Sequence, residues 1–229
     1  MQGLLLVDKP ADWTSFDAVN YVRRMVAAAE GKKPKHVKVG HTGTLDPFAT
    51  GLLILLIGKE YTRRAGELSK LDKTYEVTMI LGKTSSTGDP EGKIKAVSDT
   101  TPDLEALTGA VEGFRGVISQ VPPAYSAIKV NGQRAYKLAR EGKEVVIEPR
   151  QVTVNSLEIV SYDYPEVKLV TNVSSGTYIR VLVEDIGALL GTGAYTSALR
   201  RTTVGGFKIE DSVPVKQVAL ENIDSLTNF

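Results

Sequence analysis

Apolar and polar positions along the chain change period several times, and each change marks an element. Leu4-Leu5-Leu6-Val7 is a short continuous apolar run and predicts a buried strand within residues 2–8. Phe16, Val19, Val22 and Val26 then recur at spacings of three and four. They predict a helix capped by Thr14 or Ser15 and closed by Gly31. Asp46-Pro47 ahead of the apolar run Leu52 to Ile57 reads as a helix entrance near Phe48, with Asp46 as N-cap and Pro47 at the first helical position. Residues 58–69 are polar and predict more helix. Tyr75 to Leu81 alternates, with Val77, Met79 and Leu81 on one strand face. Residues 82–92 read as loop and 103–111 as a short helix. A Pro122-Pro123 entrance and an Asn131-Gly132 turn predict a projecting hairpin within residues 120–150. Val152 to Ile159 and Val167 to Val173 predict strands. Residues 177–190 predict a helix with Ile179, Leu182, Val183, Ile186 and Leu190 inward. Two strands, 196–201 and 207–209, and a last helix, 215–223, complete the pattern. Without regular βαβ alternation or repeats, the class is α+β: a mixed, mostly antiparallel central sheet flanked by helices and loops.

Composition narrows the chemistry. The 229 residues are 42% hydrophobic and 24% charged, as in an ordinary globular protein. No apolar run is long enough to cross a bilayer and no signal-type leader is present, so no membrane partner and a cytoplasmic location are expected. The absence of cysteine excludes disulfides, thiolate metal sites and a thiolate nucleophile. The net charge of +1 is unevenly spread: residues 1–73 carry +4 and 120–150 carry +3, while 74–119 and 151–229 carry −3 each. Such segregation permits local binding of a phosphate backbone. Lys32, Lys33, Lys35 and Lys38 form either a solvated loop or a phosphate contact. Arg134, Lys137 and Arg140 follow at helical spacing beside Tyr136 and Leu138, an amphipathic face that also suits RNA.

The most informative stretch is Val39 to Leu52, Val-Gly-His-Thr-Gly-Thr-Leu-Asp-Pro-Phe-Ala-Thr-Gly-Leu. It sets one carboxylate, Asp46, after a loop with a polar ring at His41, hydroxyls at Thr42 and Thr44, and glycines at 40 and 43. Asp46 reads either as a helix cap or as a carboxylate that the glycines let a flat ligand approach. A phosphate-binding loop is excluded, since its Lys-Ser/Thr ending is missing.

This stretch resembles the catalytic motif of the TruB family of tRNA pseudouridine synthases. Four other segments resemble that family's motifs in the same order: Asp8-Lys9-Pro10 with Trp13-Thr14-Ser15, Lys73-Thr74-Tyr75-Glu76, Pro122 to Lys129, and Gly176-Thr177-Tyr178-Ile179-Arg180. The resemblance implies a pseudouridine synthase fold and conversion of a uridine in the tRNA T-loop, position 55, to pseudouridine. It implies base flipping, no cofactor and no metal. Asp46 is then the nucleophile, by attack at C6, attack at C1′ or a glycal route. Arg180 keeps Asp46 ionised, or is a structural ion pair. Tyr178 accepts the C5 proton with a charged partner or through water, because a free phenol is a weak base at neutral pH. Tyr75 stacks on the extruded base, or belongs to an aromatic cluster. His41 packs on the flipped nucleotide, or is an ordinary loop residue. Leu199, before Arg200-Arg201, touches the substrate or is core. Lys129 and Lys137 hold phosphates, and Lys9 and Pro10 support the fold.

The resemblance further implies one catalytic domain over residues 1–229, with 120–150 as an RNA-gripping insertion. Bacterial members continue into a PUA-type module, and none is evident before Phe229. A family Gly-x-Ala-Thr-Lys-like sequence is replaced here by Gly58 to Arg64. The expected partner is the tRNA T-arm, with no obligate protein partner and a monomeric state. Two other classes compete: a tRNA-binding folding helper acting without chemistry, and a metal-dependent nuclease, which lacks clustered carboxylates or His at ligand spacing.

Overall fold

The computed structural model describes residues 1–126, 128–130, 132–142 and 146–226. The chain divides into two compact units, residues 1–76 with 199–229, and residues 77–198.

In the first unit, β1 (Gly3–Lys9) leads to α1 (Ser15–Ala29). Thr14 caps α1 in a reciprocal box: its Oγ1 accepts from the Asp17 N–H at 3.1 Å, and Asp17 Oδ2 accepts from the Thr14 N–H at 2.9 Å. Those bonds hold the Asp17 carboxyl below its ordinary range. Gly31 follows the helix at φ +63°, where a side chain is strained. Val19, Val22 and Val26 face the core as expected, but Phe16 is exposed. In the first turn of the helix it lies outside the buried stripe. A single 3₁₀ turn (Pro34–His36) precedes β2 (Val39–His41) and β3 (Thr50–Ile57).

The helix expected at Phe48 does not exist. Residues 46–49 form a turn in which the Ala49 N–H donates to the Asp46 carbonyl at 3.1 Å, and the chain then enters β3. The reason lies in two cores. Leu53, Leu55 and Ile57 pack with α1 in one apolar cluster, while Leu52, Ile54 and Leu56 pack with Leu68 and Val204 in another. A strand buried on both faces has no polar alternation and reads like a helix segment. β1 shares the arrangement, with Leu5 and Val7 in the first cluster and Leu4 and Leu6 in the second. β1 and β3 pair antiparallel, Leu4 opposite Leu56 and Val7 opposite Leu53, and β2 pairs antiparallel with β3 on the same sheet. The helices α2 (Gly58–Arg63) and α3 (Ala65–Leu68) fill the polar stretch.

β4 (Lys73–Leu81) continues into the second unit, burying Tyr75, Val77, Met79 and Leu81 on one face. Residues 82–92 are less of a loop than expected, since β5 (Lys83–Ser85) pairs antiparallel with β6 (Ile94–Ala96). α4 (Leu104–Glu112), N-capped by Asp103, precedes β7 (Gly116–Gln120). β8 (Lys129–Val130) and β9 (Gln133–Arg134) form a hairpin with Lys129 opposite Arg134, followed by α5 (Ala135–Arg140). Gly132 of the predicted turn has φ +81°; Asn131, and Ala127 of the Pro122 motif, lie outside the described residues. β10 (Arg150–Asp163) and β11 (Glu166–Val173) form a long antiparallel pair, and β7 joins β10 antiparallel. α6 (Ile179–Leu189) buries Ile179, Leu182, Val183 and Ile186 as the pattern predicts.

β12 (Ala194–Val204) returns the chain to the first unit, where it pairs parallel with β3, Arg200 opposite Thr50 and Arg201 opposite Gly51. β13 (Phe207–Lys208) pairs antiparallel with β12, and β14 (Val213–Pro214) pairs parallel with β1. The last helix expected at 215–223 is instead a 3₁₀ turn (Val215–Gln217) and a separate α7 (Ile223–Leu226). Val215, Val218 and Ile223 all reach the α1-side core, but the stretch between them is bridged by the Asn222 side chain, which accepts from the Ala219 N–H at 2.9 Å and donates to the Gln217 carbonyl at 2.9 Å in place of a helical ladder. The sheet is mixed and mostly antiparallel, as the class predicts.

Candidate active site

The residues singled out from sequence fall in two groups, one in each unit. In the first, His41 ends β2 and Asp46 sits, half-buried, in the 42–49 loop between β2 and β3. The loop is held from several sides. Ser15, buried at the start of α1, exchanges two bonds with Leu45: Ser15 Oγ donates to the Leu45 carbonyl at 3.1 Å and accepts from its N–H at 2.8 Å. The Thr42 N–H donates to the Ile54 carbonyl at 3.2 Å, and the Gly43 N–H donates to His41 Nδ1 at 3.3 Å.

Buried cations close the underside. Lys9 is 0% exposed, and its ammonium donates to the carbonyls of Pro10 at 2.8 Å, Trp13 at 2.6 Å and Pro47 at 3.3 Å. Burial pushes Lys9 down to about 8, although the Asp46 carboxylate pulls it the other way. The assignment of Lys9 to fold support therefore omits its field at Asp46. Arg201 is 1% exposed; its Nε donates to the Leu52 carbonyl at 2.8 Å and its Nη2 to that of Gly43 at 3.2 Å. Lys73 donates to the carbonyls of Ser69 and Leu71, and burial, aided by the Arg201 charge, pushes it down to about 8. Gly51 lets the strands meet: at φ +108°, an added Cβ there would lie 2.3 Å from the Arg201 carbonyl oxygen. Beside it, Arg200 forks onto both Asp8 oxygens, at 2.7 and 3.1 Å. Tyr75 and Leu199 are both buried, 7% and 8% exposed.

In the second unit, Tyr178 occupies the N-cap of α6. Its main chain is clamped by the buried Gln120 amide, which donates to the Tyr178 carbonyl at 3.0 Å and accepts from its N–H at 2.9 Å. Arg180, in the first turn, is 4% exposed. Its guanidinium donates to the carbonyls of Thr87 at 2.6 Å and Tyr125 at 3.0 Å, and pairs with Asp89 at 3.1 Å. Asp89 also accepts from Thr87 Oγ1 and from the Glu91 N–H. Burial pushes the Glu184 carboxyl up, against the pull of Arg180. Lys137 is exposed on α5, whereas the Lys129 side chain lies outside the described residues.

Asp89, Arg201, Gln120 and Ser15 hold the candidate residues or their loop in place through contacts that the sequence does not announce. Thr87-Gly88-Asp89-Pro90 looks like a solvated turn, Gln120 carries no motif signal without the fold, and Ser15 is legible in its motif only as a helix cap and not as a partner of Leu45. Arg201 stands out in the sequence only as a neighbour of Leu199. Among the described residues no group of three or more His, Cys, Asp or Glu side chains is placed to hold a metal ion, and no helix is long and apolar enough to cross a membrane.

The family model described as TruB family pseudouridylate synthase (N terminal domain) matches residues 30–179. The chain belongs to the TruB family. A second family model, the tRNA pseudouridylate synthase B C-terminal domain, matches residues 180–225. Among relatives, this TruB chain is 44% identical over 227 residues to tRNA pseudouridine synthase B of Pseudomonas putida (strain GB-1), covering 98% of this chain and 70% of that protein. It is 43% identical over 224 residues to the protein of the same name from Mycobacterium sp. (strain KMS), covering 96% and 72%. Among solved structures, it is similar to a chain of a Cbf5–Nop10–Gar1 complex, at 26% identity and TM-score 0.69 over 97% of this chain. It is also similar to a chain of an H/ACA RNP bound to a substrate RNA containing 2′-deoxyuridine, at 25% identity and TM-score 0.67 over 93% of this chain. It spans about half of those two chains, 54% and 51%. The TruB motifs thus lie on a pseudouridine synthase fold.

Proposed function

We propose that this TruB-family chain isomerises a uridine to pseudouridine in tRNA, at position 55 of the T-loop, with Asp46 as nucleophile. The N1–C1′ bond breaks, the base turns, C5–C1′ forms, and the C5 proton is lost while N1 gains one. No electrons leave the substrate, so the reading needs no cofactor. The observation that carries it is the carboxylate of Asp46, half-exposed on a loop pinned by Ser15 and Lys9. A fixed carboxylate at a glycine-flanked loop suits close approach to a flipped nucleotide.

In this reading Arg180 stabilises the ionised Asp46 during reaction, and Tyr178 takes the C5 proton. Tyr75 stacks on the base, a contact of about 1–3 kcal/mol that offsets part of the flipping cost of a few kcal/mol. His41 and Leu199 shape the pocket for the base. Asp89 is a positioning residue, acting through Arg180. Residues 120–150 grip the T-arm, with Lys129 and Lys137 on phosphates, inside a single catalytic domain. The enzyme works in the cytoplasm as a monomer, without a protein partner.

Tritium release from tRNA labelled at uridine C5, without added metal, tests this. Wild type should release label, and Asp46→Asn should lose about a thousandfold or more of the single-turnover rate, as nucleophile removals do, with tRNA affinity little changed. Tight binding without release by wild type would move the function to an RNA-folding helper. Release by Asp46→Asn would move the nucleophile elsewhere.

A further inference from the structure

The first unit holds a second concavity, apart from the 42–49 loop. It lies between α1 and the segment entering β2, encloses about 520 Å³, and is lined by Asn20, Arg23, Arg24, Lys35, Lys38 and Val39 among others. Four of these side chains are cationic and no lining residue is acidic. The nearby carboxylates are occupied: Glu30 by the N-terminal ammonium and Lys32, Asp17 by Thr14. Among the described residues, none of the four cations has a carboxylate within ion-pair distance. Like charges gathered in one cleft repel each other and raise the local concentration of an anion.

The cleft is also ordered. Arg23 donates to Asn20 Oδ1 at 2.8 Å and to the Val39 carbonyl at 3.2 Å, with its guanidinium 5.7 Å from the Phe16 ring centroid. That leaves guanidinium donors to spare. The lysine segment is tied down by buried Val37 and Val39 in the α1-side core and by the Pro34–His36 turn. Its backbone is held in place before any ligand arrives, which lowers the ordering cost of binding. Val39 opens β2, so the cleft ends roughly 7 Å of extended chain before His41, at about 3.3 Å per residue.

We propose that this cleft binds the phosphate backbone of the RNA substrate, as a docking site separate from the nucleotide-binding loop. The inference rests on the tRNA reading above. A strand of phosphates can enter a cleft, whereas a flat anionic bilayer meets only its rim. Bound there, the RNA is held upstream of β2 while the target nucleotide is offered to the loop after it.

The test measures affinity for a tRNA transcript against salt, in the Asp46→Asn background so that no turnover intervenes. Arg24→Gln/Lys35→Gln/Lys38→Gln, all exposed positions, is compared with its parent. Loss of about three phosphate contacts should flatten the slope of log Kd against log salt by about 2–3 and weaken binding at least tenfold near 0.1 M salt. Acetylation of Lys35 and Lys38, read by mass spectrometry, should be suppressed by tRNA. Superimposable slopes with no lysine protection would overturn the proposal, as would failure of the parent to bind tRNA at all. Unchanged slopes with loss of binding to phosphatidylserine vesicles would overturn it in favour of a membrane surface. Tritium release by wild type tests the isomerase reading separately, since the slopes decide the cleft whether or not Asp46 proves to be the nucleophile.

Discussion

The two units answer the same problem, a buried cation, in different ways. In the first, Lys9, Lys73 and Arg201 give their N–H groups to main-chain carbonyls. In the second, Arg180 gives part of its guanidinium to the Asp89 carboxylate, with both side chains 4% exposed. A cage of carbonyls orients a cation without neutralising it; burial pushes both lysines down to about 8, and the charge of Lys9 still acts on Asp46. A carboxylate neutralises the cation and ties two segments together, here α6 and the 85–92 turn. The first device keeps positive charge near the Asp46 carboxylate, and the second fixes the place of an arginine.

If the contrast holds, Asp89→Asn gives the largest change. It leaves Arg180 buried without its carboxylate, at a cost of about 3–5 kcal/mol in urea unfolding. A loss below about 1 kcal/mol would show that the other partners of the guanidinium suffice and erase the distinction. Lys9→Met removes a caged ammonium and leaves three carbonyls without it, so a smaller loss of about 1–3 kcal/mol is expected in the same assay. Smaller still is a pH effect. Between pH 8 and about 9.5, the unfolded chain keeps protons on these lysines that the folded chain has begun to release. Stability should therefore rise with pH across that window, and less steeply in Lys9→Met. Parallel curves for the two proteins would mean that Lys9 keeps its proton in the cage. Lys137→Ala, on exposed α5, should leave stability unchanged, weaken tRNA binding and flatten its salt slope by about 1.

Legibility follows burial symmetry. α6 and β4 each have one buried face, so their periods of about four and two can be read directly from the order of residues. β3 is apolar on both faces, and Asp-Pro ahead of it imitates a helix entrance. Phe16 fits the helical spacing by chance and sits outside the buried stripe. The loop residues His41 and Asp46 are legible through a resemblance over several motifs. Asp89 and Gln120 become visible only with the fold, because each is paired with a residue far along the chain, Arg180 and Tyr178.

The double burial of β3 has a kinetic side. Backbone that is packed on both faces and paired on its neighbours opens only when the whole unit unfolds, so its amides should be among the last to exchange with solvent. The 42–49 loop hangs from the start of that strand and from Ser15. The Thr42–Ile54 and Leu45–Ser15 bonds tie its main chain to both, so a ligand meets a loop already anchored at two points.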